Sequence, residues 1–424
     1  MTYSQRKRTK LLVVAQYYYP EQFRINDICA EWVKRGYEVT VITGIPNYPQ
    51  GKFYKGFGWF KKRHEIHEGV EIIRLPIVSR GTSKLRLTLN YLSFVVSGYF
   101  WQLLTVQTAD CVFVHEVSPM TQTLVGVWYG KRRGIPVIHY VTDLWPENVE
   151  AVSGLHSKIL LGSINKMVDY LYANNNKILT SSRSFIGAIE KRGLPSNKLE
   201  FWPHYAEDYY KQQSRNSSKK ASLLIPHEED VINIAFTGNI GEAQGLYILP
   251  IAAKLLREKS IRICFYIIGE GRGKDSLQGA IEKVNIEEYF AFIPKQPAAE
   301  IPFLLAQCDV GLVILSENPV FKMTIPTKLQ SYLACGIPII ASGEGEMCDI
   351  VTHAGAGFCA QTGSPAALAD CITRFASLDD VQVRQMQANA LLYYQRHFNK
   401  DNLMNRMDEI ILEAVIGKRT NERT

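Results

Sequence analysis

The chain has 424 residues, 46% of them hydrophobic and 21% charged, with 48 Lys and Arg against 41 Asp and Glu for a formal charge of +7. That length carries about two or three domains, and the composition excludes a disordered, collagen-like or coiled-coil chain. The mild positive excess suits an acidic ligand or an anionic membrane surface and is too small to argue for nucleic acid.

The basic start leads into the short apolar run LLVVA at 11–15, which reads as a strand rather than a signal peptide and points to the cytoplasm. Apolar runs at 10–15, 38–43, 70–75, 111–115, 136–141 and 177–180 predict strands, and helical spacing at 26–35, 121–129 and 158–173 falls between them. Such alternation predicts an α/β chain with parallel sheets covered on both faces. Residues 87–109 carry no charge and admit three readings: a core helix, a helix on a membrane surface, or a span. The α/β segments on both sides argue against the span. Residues 207–230 are polar and aperiodic and predict a linker. Strands at 231–236, 261–268, 289–293, 310–315 and 338–341 follow, with helices at 246–258, 299–307, 328–333 and 366–375 and a mostly helical stretch over 381–416. The expected division is a first domain over 1–206, a linker over 207–230 and a second domain over 231–394, with 395–424 packing back on the first. The eight cysteines include no C-x-x-C pair and read as free thiols of a reducing compartment, not zinc ligands.

In parallel α/β sheets ligands bind beyond the carboxyl ends of the strands, so the chemistry is sought in those loops. FTGNIGEAQGL (236–246) supplies Gly238, Gly241 and Gly245; IIGEGRGK (267–274) supplies Gly269, Gly271 and Gly273 beside Arg272 and Lys274. Each fits either a tight strand–helix turn or a phosphate cradle. Lys328 falls in the first turn of a helix that opens at Pro326, with Thr324 or Thr327 as cap. A cation is disfavoured there unless an anion neutralises it; the alternative is an exposed lysine. In the first half, Arg24 lies near a helix start and faces either the cleft or solvent. Asp143 and Glu147 bracket a Trp145-Pro146 turn at a strand end. Trp145 suits stacking on a sugar and the carboxylates suit binding hydroxyls or taking a proton, with core packing and capping as the alternative. His115 and Glu116 also end a strand, and His115 is either a sugar or phosphate contact or structural.

Three segments of the second half, GNIGEAQGL, the strand closing on Gly269-Glu270-Gly271, and PTKLQSYLACGIPII, together resemble the retaining glycosyltransferases of family 4. In the first half Tyr19-Pro20-Glu21, GIPNYPQGKFY (44–54) and Asp143-Leu144-Trp145-Pro146-Glu147 are similar to the subgroup, of fucosamine-transferase type, that builds bacterial capsule, O-antigen and exopolysaccharide repeats. The resemblance runs from about Lys10 to Phe375. It implies the GT-B fold, two Rossmann-like parallel-sheet domains facing a cleft, with retention of configuration and neither metal nor cofactor. It places a nucleotide-sugar on the second domain, at Gly238, Asn239, Ile240, Gly241, Gln244, Gly269, Glu270, Gly271, Arg272, Lys274, Thr327, Lys328 and Ser331. The acceptor falls on the first, at Tyr19, Glu21, Arg24, Asn47, Tyr48 and Trp145, with Asp143, Glu147 and His115 as the catalytic candidates. The chain departs from the family where its two glutamates would fall, at Met323 and Ser331; the nearest carboxylates are Glu317, Glu344 and Glu346. The Arg and Lys of the family's first glycine loop are replaced here by residues such as Asn239 and Gln244, which shifts phosphate contacts to Arg272, Lys274 or Lys328.

The expectation is a hexosyltransferase-type enzyme moving a sugar from a nucleoside diphosphate, UDP-sugar favoured, to a lipid-linked saccharide. It would sit peripherally on the inner face of the cytoplasmic membrane through Lys52, Lys55, Lys61, Lys62 and Arg63 among Phe53, Tyr54, Phe57, Trp59 and Phe60. The rivals are a nucleotide-sugar 2-epimerase on the same fold and a non-catalytic nucleotide-sugar-binding or scaffold protein.

Overall fold

The computed structural model describes residues 9–153 and 157–421. Two compact units divide the chain: one runs to Trp202 and resumes at Asn405, the other is Pro203–Met404. The first holds an eight-stranded sheet of β1 (Lys10–Val14), β2 (Glu38–Gly44), β3 (His64–His67), β4 (Val70–Leu75), β5 (Cys111–Glu116), β6 (Val137–Val141), β7 (Lys177–Thr180) and β8 (Leu199–Phe201). Their spatial order is β3-β4-β2-β1-β5-β6-β7-β8. Every pair is parallel except the β3–β4 edge. The second holds β9 (Ile232–Thr237), β10 (Ile263–Ile268), β11 (Phe290–Ile293), β12 (Val310–Ile314), β13 (Ile339–Ser342) and β14 (Gly357–Ala360) in the order β11-β10-β9-β12-β13-β14, all parallel. The central strands are buried on both faces, as their unbroken apolar runs require. In each sheet the chain reverses its direction of travel beside the first strand, between β1 and β5 and between β9 and β12. Loops leaving those strands diverge and open a crevice at their carboxyl ends.

Residues 207–230 are not the free tether their polarity suggested. A short helix, Lys219–Leu224, seats Ala221 in the second unit. Gln307 Nε2 donates to the Arg215 carbonyl (2.6 Å), and Arg215 pairs with Asp309. The unit boundary falls earlier because Tyr205 and Ala206 are buried and Tyr394 Oη donates to the Ala206 carbonyl. The helix Lys400–Asn421 begins in the second unit and ends in the first, where buried Asp408 accepts from Arg35 Nη1 (3.0 Å) and Tyr37 Oη (2.9 Å). Two cysteines expected as free thiols, Cys348 and Cys359, are joined in a disulfide: the helix after β13 and strand β14 bring their Cα atoms to 5.7 Å, a spacing that a bridge spans.

Most of the uncharged segment, residues 87–104, lies in the helix Lys84–Leu104, which is turned inside out relative to an ordinary surface helix. Its polar side faces inward: Asn90 Nδ2 donates to the Val78 carbonyl (2.6 Å), Ser97 Oγ to the Pro76 carbonyl (2.5 Å), and Ser93 Oγ accepts from Val78 N (2.9 Å). Leu85, Leu89, Leu92, Val96, Tyr99 and Leu103 recur every three or four residues on the outer side and are exposed. Gly98 lets the inner side close on the helix Thr123–Arg133, where an added Cβ would sit 2.3 Å from Val125 Cγ2. Gly98→Ala should therefore cost about 1–3 kcal/mol in denaturant unfolding, and adding Val125→Ala should recover much of it; additive losses would refute the contact.

Candidate active site

In the second unit the two glycine loops are stitched together by backbone. Gly238 N donates to the Ile268 carbonyl (2.9 Å), Ile240 N to the Glu270 carbonyl (3.0 Å), and Gly273 N to the Ile240 carbonyl (2.9 Å). A Cβ on Gly269 would lie 1.9 Å from the Gly238 oxygen, and one on Gly271 would lie 2.1 Å from the Ile240 oxygen. These glycines are thus demanded by loop-on-loop contact, not by direct approach to a phosphate. The amides of Gly238, Ile240, Gly269 and Gly273 are engaged by protein carbonyls and are not available as anion donors. Gly238 differs: its φ of 127° needs glycine, and the space a Cβ would fill opens on Lys328 Nζ at 3.8 Å.

Lys328 lies in the first turn of the helix Thr327–Ala334, which Pro326 caps without a side-chain bond; Thr324 Oγ1 instead donates to the Val320 carbonyl. Its ammonium is shut off from solvent, 3.6 Å from the centre of the Phe236 ring, with no hydrogen-bond partner among the described residues. Burial pushes its pKa down to about 7. Tyr332, one turn on, accepts from Thr237 N (2.9 Å) and so ties the helix to the end of β9. The other expected donor contacts are placed differently. Lys274 is paired with Glu270 (3.1 Å). Ser331 is buried and donates to its own helix at the Thr327 carbonyl. Asn239 Nδ2 reaches Gln244 Oε1 at 3.5 Å, while Arg272 and Thr327 are exposed. Of the carboxylates near the vacant glutamate positions, Glu344 pairs with Lys322 and Glu346 is buried at a helix start.

In the first unit several expected acceptor ligands prove to be struts. Glu21 is buried and accepts the amides of Asn47 (2.6 Å) and Tyr48 (2.5 Å); burial nonetheless raises its pKa to about 7. Asn47 is fully buried. Its Nδ2 donates to the Ile45 carbonyl and its Oδ1 accepts from Arg80 N (2.8 Å), so it offers nothing to a sugar. Tyr19 is stacked on His67 at 3.5 Å. Trp145 is 8% exposed and donates from Nε1 to Ser118 Oγ (3.1 Å), which leaves no face for sugar stacking. Tyr48 keeps an exposed ring.

The ends of β5 and β6 and the segments that leave them carry the three catalytic candidates, and the two loops are bonded to each other. Asp143 Oδ2 accepts from Ser118 N (2.8 Å), which anchors one strand-end loop to the other. His115 is 3% exposed, its Nε2 has no partner, and burial followed by the nearby Arg24 charge pushes its pKa down to about 3. Arg24 therefore faces the sheet end. Glu147 opens the helix Glu147–Ser153 with Oε2 buried and without a hydrogen bond. Beneath them lies a pair the sequence reading missed: Glu116 and His139, both fully buried, with Oε2 and Nε2 3.5 Å apart. Burial, and then Asp143, raises the Glu116 pKa well above the carboxylate range, and burial lowers His139 to about 3, so this contact is between neutral groups. A histidine inside an apolar strand was the available signal.

Residues 22–204 match the glycosyl transferase 4-like domain, and residues 217–391 match the glycosyl transferases group 1 family. A glycosyl transferase assigned to colanic acid biosynthesis in Escherichia coli K12 (WcaI) is 27% identical over 416 residues, covering 93% of this chain and 98% of its own. The amylovoran biosynthesis glycosyltransferase AmsK of Erwinia amylovora is 23% identical over 242 residues, 57% of each. Among solved structures, sucrose-phosphate synthase from Thermosynechococcus elongatus superposes with a TM-score of 0.76 at 13% identity, over 97% of this chain and 100% of its own. Anabaena HepE in complex with UDP and glucose superposes at 0.70 and 15%, over 96% and 100%. With two parallel-sheet units, glycine loops and a strand-end carboxylate cluster in place, the chain is a glycosyltransferase of the GT-B fold.

Proposed function

We propose that this glycosyltransferase moves a sugar from a nucleoside diphosphate, a UDP-sugar first among them, to a lipid-linked saccharide of a bacterial surface polysaccharide, with retention and without metal or cofactor. The observation that carries the reading is the Lys328 ammonium, buried under Gly238 with no hydrogen-bond partner among the described residues. A buried cation of that kind is completed by an anion, and the leaving diphosphate oxygen gains negative charge as the glycosidic bond breaks. HepE, a structural neighbour, carries UDP, and the colanic acid and amylovoran relatives point to surface polysaccharide. The donor is already activated, so no glycosidase-type carboxylate pair is required. On the acceptor side, Asp143 takes the hydroxyl proton as the new carbon–oxygen bond forms. Neutral His115 hydrogen-bonds the sugar, and Glu147 holds a hydroxyl.

Incubation with radiolabelled UDP-sugars and a lipid-linked acceptor should yield labelled lipid-linked product; an isomerised sugar without transfer would favour an epimerase. Lys328→Ala should weaken UDP binding by about 1–3 kcal/mol in calorimetry, the scale of a charge-assisted hydrogen bond. Asp143→Asn should lower transfer and leave UDP affinity unchanged.

Because Lys328 is held at about 7, it is largely neutral in the free protein above that pH, and a bound diphosphate restores its proton. UDP binding should take up a proton at about pH 8, read from the dependence of the heat on buffer ionisation, and Lys328→Met should abolish it. The same depressed pKa makes stability rise with pH from about 7 towards 10.5, since the unfolded chain holds a proton that the folded one sheds. Lys328→Met should flatten that rise.

The reading extends to an anionic membrane surface. No described helix is long and apolar enough to cross a membrane. The outward apolar stripe of Lys84–Leu104 nevertheless lies in the same unit as a loop tip where Phe60 is 94% and Trp59 50% exposed beside Lys61 and Lys62. Arg63 donates to the Arg74 and Trp59 carbonyls, which fixes its charge on this loop without neutralising it. Each cation contributes about 1 kcal/mol near anionic lipid. The protein should co-sediment with anionic but not zwitterionic vesicles and be released by about 1 M salt. Leu92→Glu with Val96→Glu should abolish co-sedimentation. Equal binding to both vesicle types, or a dimer that these changes dissociate, would overturn the membrane assignment.

A further inference from the structure

Among the described residues Arg80 forms no ion pair with a carboxylate. Its backbone amide is pinned by Asn47 Oδ1 at 2.8 Å, so the loop that carries it is fixed from below by a fully buried residue. Its Nη1 donates to Tyr17 Oη at 3.0 Å, and its guanidinium stands 5.1 Å from the Tyr48 ring centre and 5.9 Å from that of Tyr17. Neither tyrosine carries negative charge at neutral pH. Two other arginines of the unit are treated differently: Arg74 pairs with Glu65 (3.0 Å) and Arg35 with Asp408 (3.0 Å). Tyr17, Phe23 and Tyr48 pack ring on ring at 5.3–5.6 Å and wall the guanidinium on one side. Tyr91, on the helix Lys84–Leu104, adds a second phenol on which the Arg80 charge acts. A planar fork held on tyrosine faces, with its remaining N–H groups lacking an acidic partner, is matched to phosphate oxygens.

We infer that Arg80, with Tyr17, Tyr48 and Tyr91, forms a phosphate subsite of the first unit that takes the diphosphate of a lipid-linked acceptor. The inference rests on the functional reading above and adds where that acceptor is gripped. The helix that carries Tyr91 also carries the outward apolar stripe, so one element joins the phosphate grip and the lipid-facing surface. Glu21, which acts electrostatically on Tyr17, is engaged by the Asn47 and Tyr48 amides and does not pair with Arg80.

The test uses the full chain with its donor site saturated by UDP, titrated with geranyl diphosphate, inorganic pyrophosphate or geraniol. Geranyl diphosphate should bind, pyrophosphate should compete with it, and geraniol should do neither. Arg80→Gln should weaken geranyl diphosphate by about ten-fold or more with UDP affinity unchanged, and Arg80→Lys should fall between, having the charge without the fork. Tyr48→Ala, at an exposed ring, provides a second variant should Arg80→Gln fail to fold, and it too should weaken the prenyl diphosphate. Affinity within two-fold of the parent in both variants would overturn the subsite, as would a parallel loss of UDP binding, which would make Arg80 a folding residue. A parent that binds UDP but not geranyl diphosphate refutes the subsite alone; a parent that does not bind UDP refutes the functional reading.

Discussion

A buried lysine amine without a counter-ion, its pKa held at about 7, is the constraint around which the second unit is arranged. Lys328 gains partial compensation from the Phe236 ring, but a ring quadrupole does not replace a charge. Keeping the cation there requires a rigid frame. The Tyr332 hydroxyl ties its helix to the end of β9, and three backbone hydrogen bonds tie the loop after β9 to the loop after β10. The missing side chain of Gly238 leaves space beside Nζ. Under the proposed function an anionic ligand completes this frame electrostatically, and its binding is coupled to the protonation of Lys328.

The first unit solves a different problem: it holds polar loops in place with buried polar groups. Glu21 fixes the 47–48 turn, Asn47 fixes Arg80, and Asn90 reaches the same network from the helix Lys84–Leu104. Because that helix uses its polar side to satisfy carbonyls at 76 and 78, its apolar side is left facing out. Unmet buried polar groups cost more than exposed apolar ones, so the inversion follows from where the unpaired carbonyls lie. The exposed stripe and the inward amides are two results of one packing choice.

How far the site was legible depends on the kind of signal. The glycine loops were visible because positive φ and close backbone approach exclude other residues, yet the partner of that approach was a second loop, not a ligand. Asp143 was visible from its strand-end position. Trp145 was visible as unusual with two readings, sugar stacking or core packing, and only the packing, which buries its ring, decides between them. Arg80 carried no sequence signal of its own, because its lack of an acidic partner is a fact about space and not about spacing. The three strands that pattern did not reveal, β3, β8 and β14, all lie at sheet edges, where short or mixed-polarity segments suffice.

By itself the sequence determined the parallel α/β architecture, the strand-end loops as the place of chemistry, and the residue types able to meet a diphosphate, because hydrophobic period, glycine and helix-start position are local properties. The tertiary structure alone decided which of those residues remain available. Glu21, Asn47, Lys274 and Ser331 are engaged by partners distant in sequence or a helical turn away, while Lys328, His115 and Arg80 are set among neighbours that leave their polar atoms to be completed. Whether a charged or polar atom is satisfied depends on what surrounds it in three dimensions, and no spacing along the chain encodes that.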